Sequence, residues 1–248
     1  MLDRQQLERY RRNILLDGFG PEGQEKLLKS SVLVVGAGGL GSPAAYYLAA
    51  AGVGRIGVLD SDAVELSNLQ RQILHGTPDL GRPKAVSAGE KLSRLNPDLT
   101  IEIHNRRLAV DTAGELLSGY DVVVDCTDNF QSRFVINDVC LRLGRPFVYG
   151  GVLAYMGQLM TIVPGRGPCF RCLYRGEPGE GSPDCSTAGV LGAVPGVIGT
   201  LQACEAVKCL VGTGELLSGR LLVYDALTAS FTEVALERDP LCPSCGNK

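Results

Sequence analysis

The sequence predicts an α/β protein with a Rossmann-like, doubly wound and mainly parallel sheet, to which antiparallel C-terminal strands and N-terminal helices are added. Three observations lead to this fold class. An apolar, β-branched run at residues 31–35 ends at a glycine-rich turn that opens a helix. Strand and helix patterns then alternate to about residue 150. Beyond that point, two strand-like stretches flank one apolar helix.

The elements follow in chain order from local patterns. Helical spacing with many charges predicts helices at residues 3–12 and 21–30, outside the sheet. Short apolar runs predict strands, and Ala-rich or amphipathic segments predict helices. Pro43 fits the first turn of the helix predicted at 39–51, and Asn96-Pro97 ends the helix predicted at 84–95. The predicted strands are 31–35, 55–59, 100–105, 121–125 and 146–149, and the helices are 39–51, 84–95, 112–117 and 133–143.

The last hundred residues have a different pattern. Residues 157–165 and 219–237 resemble antiparallel strands, and the apolar stretch 196–212 predicts a helix that packs inside. Residues 176–186 are rich in Gly, Pro, Ser and acidic residues, a composition that predicts a mobile crossing loop, and they contain Cys185.

Composition excludes several classes of protein. The chain has 248 residues, with 45% hydrophobic and 21% charged residues, as in soluble globular proteins. A formal charge of −3 gives no electrostatic reason to expect a nucleic-acid partner. We find no stretch approaching the ~18 apolar residues of a membrane span, and the polar N-terminus has no signal-peptide core. We therefore expect a cytoplasmic protein with no membrane partner.

The glycine-rich turn predicts nucleotide binding. Gly36, Gly38 and Gly41 fit the GxGxxG pattern, and Asp60 ends the next strand where a ribose-binding acid is expected. Backbone amides at a helix N-terminus attract phosphate, and glycine lets the ligand approach closely. The glycine pattern alone is weak, because it serves many nucleotides and also occurs in tight turns without a ligand. Its setting between a strand and a helix strengthens the prediction.

Polar residues beyond Asp60 point to phosphate chemistry. Ser67 to Gln72 form a polar stretch where an enzyme reaches past the ribose. Cleavage of a triphosphate requires cations near the phosphates and a carboxylate for magnesium. Arg71 and Lys84 are the candidate cations, Asp128 is the candidate carboxylate, and Asn68 is a further polar candidate in the same stretch as Arg71. Asp128 follows a strand's carboxyl end, where α/β sheets place ligand groups. The alternative is that Arg71 and Lys84 are ordinary surface cations.

Two C-x-x-C pairs predict a zinc site. Cys169 and Cys172 form one pair, and Cys242 and Cys245 form the other. In a reducing compartment such pairs are typical of tetrahedral zinc, and four thiolates leave no position for water, so the site is interpreted as structural. A redox role is the competing interpretation.

The other cysteines and the histidines give weaker signals. Cys185 is expected to be exposed on its loop, and the sequence favours neither a functional nor an incidental role for its thiol. Four cysteines lie in apolar surroundings and are predicted to be in the core: Cys126, Cys140, Cys204 and Cys209. His75 and His104 are isolated, and nothing in the sequence pairs them into a catalytic arrangement.

Taken together, the motifs resemble the MoeB/ThiF family of adenylyltransferases, the bacterial relatives of ubiquitin-activating enzymes. The resemblance covers nearly the whole chain, in order, through RYRRNILL, GAGGLGS, LDSDAVELSNLQRQ, GRPKA, DCTDN, PCFRC, CSTAGVLGAVPGVIGTLQACEAVK, YDALT and CPSCG. It implies one adenylation domain, 1–248, made of an N-terminal helical segment (1–30), a nucleotide-binding half (31–150) and a carrier-binding and zinc-site half (151–248).

The resemblance also implies the reaction. A ubiquitin-like sulfur carrier of the MoaD or ThiS type inserts its C-terminal Gly-Gly beside ATP, its carboxylate attacks the α-phosphate, and pyrophosphate leaves. A separate sulfur donor then gives the thiocarboxylate, because no rhodanese domain precedes the last residue, Lys248. Which carrier is used, for molybdopterin, thiamin or tRNA thiolation, stays open.

Residue roles follow from the resemblance by position. ATP, Mg²⁺ and structural Zn²⁺ are the implied ligands. Asp60 holds the ribose, Asp128 holds magnesium with help from Asn129, and Arg12 acts as a finger from the other subunit of a homodimer. Asn13 stands where the family usually has Gln. The implied nucleotide-binding set is Gly36, Gly38, Gly39, Gly41, Asp60, Ser67, Asn68, Leu69, Gln70, Arg71, Lys84, Asp128 and Asn129. The implied catalytic set is Arg12, Arg71, Lys84, Asp128 and Cys185, and the zinc ligands are Cys169, Cys172, Cys242 and Cys245.

Three alternatives remain at this point. A related enzyme of the superfamily could adenylate a modified tRNA base, although the paired C-x-x-C pattern and the near-neutral charge argue against it. A NAD-dependent oxidoreductase would need neither Arg71 nor Lys84. A catalytically dead scaffold that only docks the carrier has no support, because every proposed catalytic position is filled.

Overall fold

The computed structural model describes residues 1–177 and 188–246. Its strands are β1 (Ser31–Val35), β2 (Arg55–Leu59), β3 (Thr100–His104), β4 (Val122–Asp125), β5 (Phe147–Leu153), β6 (Met156–Ile162), β7 (Arg220–Asp225) and β8 (Ser230–Ala235). Its helices are α1 (Arg4–Arg9), α2 (Arg11–Ile14), α3 (Gly20–Lys29), α4 (Gly41–Ala51), α5 (Lys84–Leu95), α6 (Val110–Ser118), α7 (Phe130–Leu143), α8 (Phe170–Leu173) and α9 (Ala193–Val211). Short 3₁₀ turns cover Leu66–Asn68 and Thr77–Asp79.

In the described ranges, one eight-stranded sheet has the order β3-β2-β1-β4-β5-β6-β7-β8. The strands from β1 to β5 pair in parallel, and β6, β7 and β8 add in antiparallel fashion. The predicted fold class is therefore confirmed. The strand order reverses between β1 and β4, and ligands of open α/β sheets bind in the crevice beyond such a switch point.

Both faces of the sheet are covered, as the apolar runs predict. Along β1, Val32 and Val34 join one hydrophobic core, and Leu33 and Val35 join the other, because successive side chains point to opposite faces. The first core includes residues of α3, α4, α5 and α9, and the second includes residues of α6, α7 and α8. The strand ends at the switch point are thus held by packing on two sides.

Two predicted helix boundaries differ from the structure because of an identifiable hydrogen bond, which is long-range in the first case and local in the second. The helix expected at 3–12 is interrupted at Tyr10, whose side chain is buried and accepts a hydrogen bond from Asn96 Nδ2 at 2.8 Å. The helix expected from residue 133 already begins at Phe130, because the Asn129 side chain accepts a hydrogen bond from the Ser132 amide at 2.9 Å. Asn129 is therefore a helix cap beside the strand end.

Helix α9 corrects two expectations. Its 19 residues, Ala193–Val211, are long and apolar enough to cross a membrane by composition, contrary to the expectation that no such stretch exists. Half of the helix is buried, and it packs on α4 and β5 as a core helix does. Cys204, predicted to be in the core, is exposed, because an apolar helix on one side of a sheet still turns one face outward.

Candidate nucleotide site and zinc centre

The turn between β1 and α4 requires glycine at specific positions. Gly36 has a φ of +98°, and a Cβ atom there would lie 2.6 Å from the Cys126 carbonyl oxygen. A Cβ atom on Gly41 would lie 1.8 Å from the Gly36 carbonyl oxygen. Glycine therefore lets the turn pass close to the end of β4 and lets α4 begin directly above it.

Asp60, at the end of β2, is fixed against this turn. Its Oδ2 accepts a hydrogen bond from the Ala37 amide and its Oδ1 accepts one from the Asp62 amide, both at 2.8 Å. Burial raises the pKa of Asp60 above its usual range, against the opposing effects of the two amides and the Lys84 charge. The carboxylate is thus held rigidly where the sequence predicted a ribose ligand.

A pocket opens beyond the carboxyl ends of β1, β2 and β4 and gathers most of the predicted nucleotide residues. Those that line it are Gly36, Gly38, Gly39, Asp60, Arg71, Lys84, Asp128 and Asn129. Other predicted positions do not line it: Gly41, Ser67, Asn68, Leu69, Gln70 and Arg12. Asn68 is buried and joins the hydrogen bonds of its own turn, while Arg12 is exposed outside the pocket of this single chain.

The two predicted phosphate cations are held differently. Lys84 is 6% exposed, and its Nζ lies 3.2 Å from Oδ2 of the exposed Asp62, so a buried ammonium is balanced by a carboxylate at the pocket wall. Arg71 donates from its NH1 to the Ser67 carbonyl at 3.2 Å. In the described part of the chain, the amides of Gly38 and Gly39 donate no hydrogen bond. Two cations and two glycines with free amides thus line one cavity, an arrangement that suits a polyphosphate.

The loop after β4 places Asp128 at the pocket. The buried Asp125 accepts hydrogen bonds from the Thr127 amide (3.0 Å) and hydroxyl (2.7 Å), and Arg133 NH2 donates to the Thr127 carbonyl at 2.8 Å. Asp128 follows this clamped segment and is exposed, with Asn129 Nδ2 3.3 Å from its Oδ1. A carboxylate on a rigid loop beside a phosphate pocket suits a magnesium ion.

The pocket lining includes three arginines that sequence reasoning missed, Arg106, Arg107 and Arg133, and also Gln72, the last residue of the predicted polar stretch. Arg106 and Arg107 directly follow β3, so the rule that ligands bind at carboxyl strand ends could have found them. Gln72 is buried, and among the described residues its Oε1 has no hydrogen-bond partner. Arg133 lies one turn inside α7, where its guanidinium faces the rings of Phe130 and Tyr149, and nothing in the local pattern marks it.

The two C-x-x-C pairs meet in space. The Sγ atoms of Cys169, Cys172, Cys242 and Cys245 all lie within 4.8 Å of one another. The shorter separations are 3.6 Å for Cys169 to Cys242 and 3.4 Å for Cys172 to Cys245. Tetrahedral zinc with bonds of about 2.3 Å sets its sulfurs about 3.8 Å apart, so the four thiols fit this ion.

Asp138, on α7, joins the two halves of this cluster. Its carboxylate accepts hydrogen bonds from Arg171 Nε (2.8 Å) and NH2 (2.7 Å) and from Ser244 Oγ (2.6 Å). Arg171 lies between the first two cysteines, and Ser244 lies between the last two. The protein therefore aligns both loops independently of the ion, which is consistent with a structural site that ties the C-terminal segment to the middle of the chain.

Removing zinc is expected to affect stability more than chemistry. Chelation should lower the melting temperature by roughly 10 °C, because the tail then keeps hydrogen bonds such as those to Asp138 but loses the metal bonds, while the initial rate at low temperature changes little. Calorimetry with and without chelator, followed by zinc addition, measures this. Cys242→Ser should reproduce the loss, and Cys204→Ser, a change of an exposed thiol, should not. An unaltered melting temperature after metal removal would contradict a structural role.

The remaining cysteines and the two histidines differ in their burial and contacts. Cys126 and Cys140 are buried as predicted, Cys209 is half-buried, and burial raises the pKa of the Cys126 thiol. Cys185 lies outside the described residues. Nε2 of His104 lies 2.8 Å from the hydroxyl oxygen of Tyr120, whereas His75 is buried beside the glycine turn.

Comparison with known proteins identifies the family of this chain. Residues 10–244 match the ThiF family, and the chain belongs to this family. It is 51% identical to the SAMP-activating enzyme E1 of Haloferax volcanii, across 99% of this chain and 91% of that protein. It is 48% identical to the sulfur carrier protein adenylyltransferase of Thermus thermophilus, across 99% and 93%. The family resemblance drawn from the motifs is therefore confirmed, and the chain is an adenylyltransferase of this family.

Two further similarities, one in sequence and one in structure, support less specific conclusions. The chain is 47% identical to adenylyltransferase and sulfurtransferase MOCS3 of Mus musculus, but it spans only 54% of that protein. The crystal structure of Escherichia coli MccB with MccA-N7isoASN superposes with a TM-score of 0.87 at 24% identity, covering 97% of this chain and 75% of that one. At this identity the superposition supports the fold alone.

Proposed function

We propose that this protein uses ATP to adenylate the C-terminal Gly-Gly carboxylate of a ubiquitin-like sulfur carrier. The observation that carries the proposal is the pocket at the switch point, which is lined by Arg71, Lys84 and Asp128 together with Gly38 and Gly39, whose amides donate no hydrogen bond within the described residues. A hydride-transferring enzyme needs no such cations past the ribose. The names of two relatives that match along more than nine-tenths of their length, an E1 and a sulfur carrier protein adenylyltransferase, support the same reaction.

A carboxylate is a poor electrophile, and adenylation activates it by supplying a good leaving group. A carboxylate oxygen of the terminal glycine attacks the α-phosphorus, the bond from that phosphorus to the bridging oxygen breaks, and pyrophosphate leaves with the electron pair. The product is an acyl-adenylate. Arg71 and Lys84 offset the negative charge that grows on the phosphates, and Asp60 holds the ribose. The Lys84 ammonium exchanges Asp62 for phosphate oxygen in this proposal.

Asp128, with Asn129 beside it, is the group that would hold magnesium. The fit rests on its exposed carboxylate, its rigid loop and its place at the wall of the phosphate pocket. Magnesium bound there neutralises phosphate charge. The four cysteines would hold zinc without a chemical role, because no coordination position stays open.

A homodimer completes the proposed site. Arg12 is exposed and outside the pocket of its own chain, so a second copy would have to supply this cation across an interface. We further propose a separate sulfur donor and a cytoplasmic location, the latter supported by free thiols at all eight cysteines of the described ranges. Adenylation of a tRNA base has no specific support from the site, since the chain carries a net charge of −3.

Direct detection of the product tests the proposal. Purified protein, ATP and a MoaD-type or ThiS-type carrier are mixed, and the carrier is followed by intact-mass spectrometry with pyrophosphatase present. We expect one AMP added to the intact carrier and none to a carrier that lacks its final glycine, because the carboxylate must reach the α-phosphorus. AMP on neither carrier would contradict the proposal, and labelling of tRNA instead would favour the related enzyme.

A further inference from the structure

We propose that His75 is a positioning residue that aims the glycine-turn amides at the α-phosphate of ATP, an inference that rests on the proposed function of this pocket. His75 follows the polar segment that contains Arg71, and its ring is 6% exposed. It does not line the pocket. Its two ring nitrogens nevertheless contact the turn on one side and α5 on the other.

The hydrogen bonds define which nitrogen carries the proton. Nε2 lies 2.9 Å from the Ala37 carbonyl oxygen, which can only accept, so Nε2 must donate. Nδ1 lies 2.9 Å from Ser87 Oγ, and in the neutral ring it accepts the hydroxyl proton. The Ser87 oxygen in turn accepts a hydrogen bond from Lys91 Nζ at 2.8 Å. The Ala37 carbonyl thus fixes the tautomer with the proton on Nε2, and the Ser87 hydroxyl, which can donate to the bare Nδ1, supports it.

Charges around the ring favour this neutral form. Burial lowers the pKa of His75, and the charges of Lys91 and Lys84 add to that effect, while the Ala37 carbonyl and Asp79 oppose it. Lys91 is itself paired with Asp79, which also accepts from Arg82 at 3.1 Å and from the Gly76 amide at 2.8 Å. The chain of contacts from Asp79 through Lys91, Ser87 and His75 thus ends on the glycine turn.

The geometry of the peptide group gives these contacts a function. In a trans peptide the carbonyl and the following N–H point in opposite directions. His75 holds the Ala37 carbonyl away from the pocket, so the Gly38 N–H is directed toward it. The preceding peptide is held as well, because the Ala37 N–H donates to Asp60 Oδ2 at 2.8 Å. The two peptides that flank Ala37 are therefore both fixed before ATP arrives, and the amide donor needs no reorganisation.

AMP and adenosine form a matched pair of probes, because they differ only by the α-phosphate. Their dissociation constants are measured by calorimetry on the full-length protein and its variants. We expect His75→Leu to weaken AMP binding about tenfold and to leave adenosine binding within about twofold of wild type. His75→Gln, which keeps an N–H donor, should retain most of the AMP affinity. Ser87→Ala should weaken AMP binding about threefold, because the ring loses the hydrogen bond that holds its Nδ1 edge in place.

A control and two contradicting results complete the test. His104→Gln changes a histidine that faces Tyr120, and it should leave both affinities unchanged. The inference is overturned if folded His75→Leu protein binds AMP like wild type, or if it loses AMP and adenosine affinity in equal proportion, as general loosening would produce. Where His75→Leu does not fold, the same two results with Ser87→Ala overturn it. Wild-type protein that binds adenosine as tightly as AMP would instead refute the phosphate role of the turn.

Discussion

Replacing Asp128 with alanine should lower the rate of ATP–pyrophosphate exchange by at least about a hundredfold, the usual cost of losing a group that stabilises transition-state charge. The side chain is exposed at the pocket wall and holds no core contact, so the melting temperature should stay within about 2 °C of wild type, as for other surface substitutions. The exchange rate of the variant is measured over a range of magnesium concentrations. If Asp128 is a magnesium ligand, the variant should need more magnesium than wild type to reach half of its maximal rate.

A matched variant separates this effect from a general change in charge. Asp111 is an exposed aspartate in the first turn of α6, and it does not line the pocket. Asp111→Ala should therefore keep the wild-type rate and the wild-type magnesium dependence. A wild-type rate in the Asp128→Ala protein would remove Asp128 from the reaction.

Mixing two inactive variants should restore activity if Arg12 acts across a dimer. Arg12→Ala and Arg71→Ala are each expected to lower exchange by about a hundredfold or more, since each removes a cation from the phosphates. In a mixed dimer, one site lacks both arginines and the other has both. Random exchange of subunits at equal amounts then gives about a quarter of wild-type activity.

The readout is exchange activity after the two purified variants are unfolded together and refolded, or co-expressed with different tags. Each variant treated alone in the same way is the control, and it should stay inactive. Activity of the mixture that equals the average of the two separate variants would show that Arg12 does not complete a partner's site. Size measurement in solution checks independently that the protein is a dimer.

The fold and part of the site could be predicted from the sequence because the features that define them are local. The β-branched run before Gly36, the position of Asp60 and the spacing of Cys169 from Cys172 are each visible within a few residues. Short apolar runs likewise predicted β1, β2 and β4, because these strands are buried on both faces. The motif order then identified the family, which the whole-chain match confirms.

The parts that the sequence did not predict depend on contacts between distant segments. Tyr10 interrupts the first helix because it packs beside Asn96, and Lys84 is paired with Asp62 across 22 positions. Asp138 bridges both cysteine loops, although neither loop is near it in sequence. His75 showed no partner in the sequence, yet its ring lies between Ala37 and Ser87. Such pairings follow from tertiary packing, which local patterns do not encode.

The most direct test of the central claim is ATP–pyrophosphate exchange with purified MoaD-type and ThiS-type carriers, each intact and each lacking its final glycine. Exchange requires reversible adenylation, so it reports the proposed step without the sulfur donor. We predict exchange with at least one intact carrier and none with the shortened carriers or with no carrier. Exchange that ignores the terminal glycine, or the absence of exchange with both intact carriers, would contradict adenylation of a sulfur carrier by this protein.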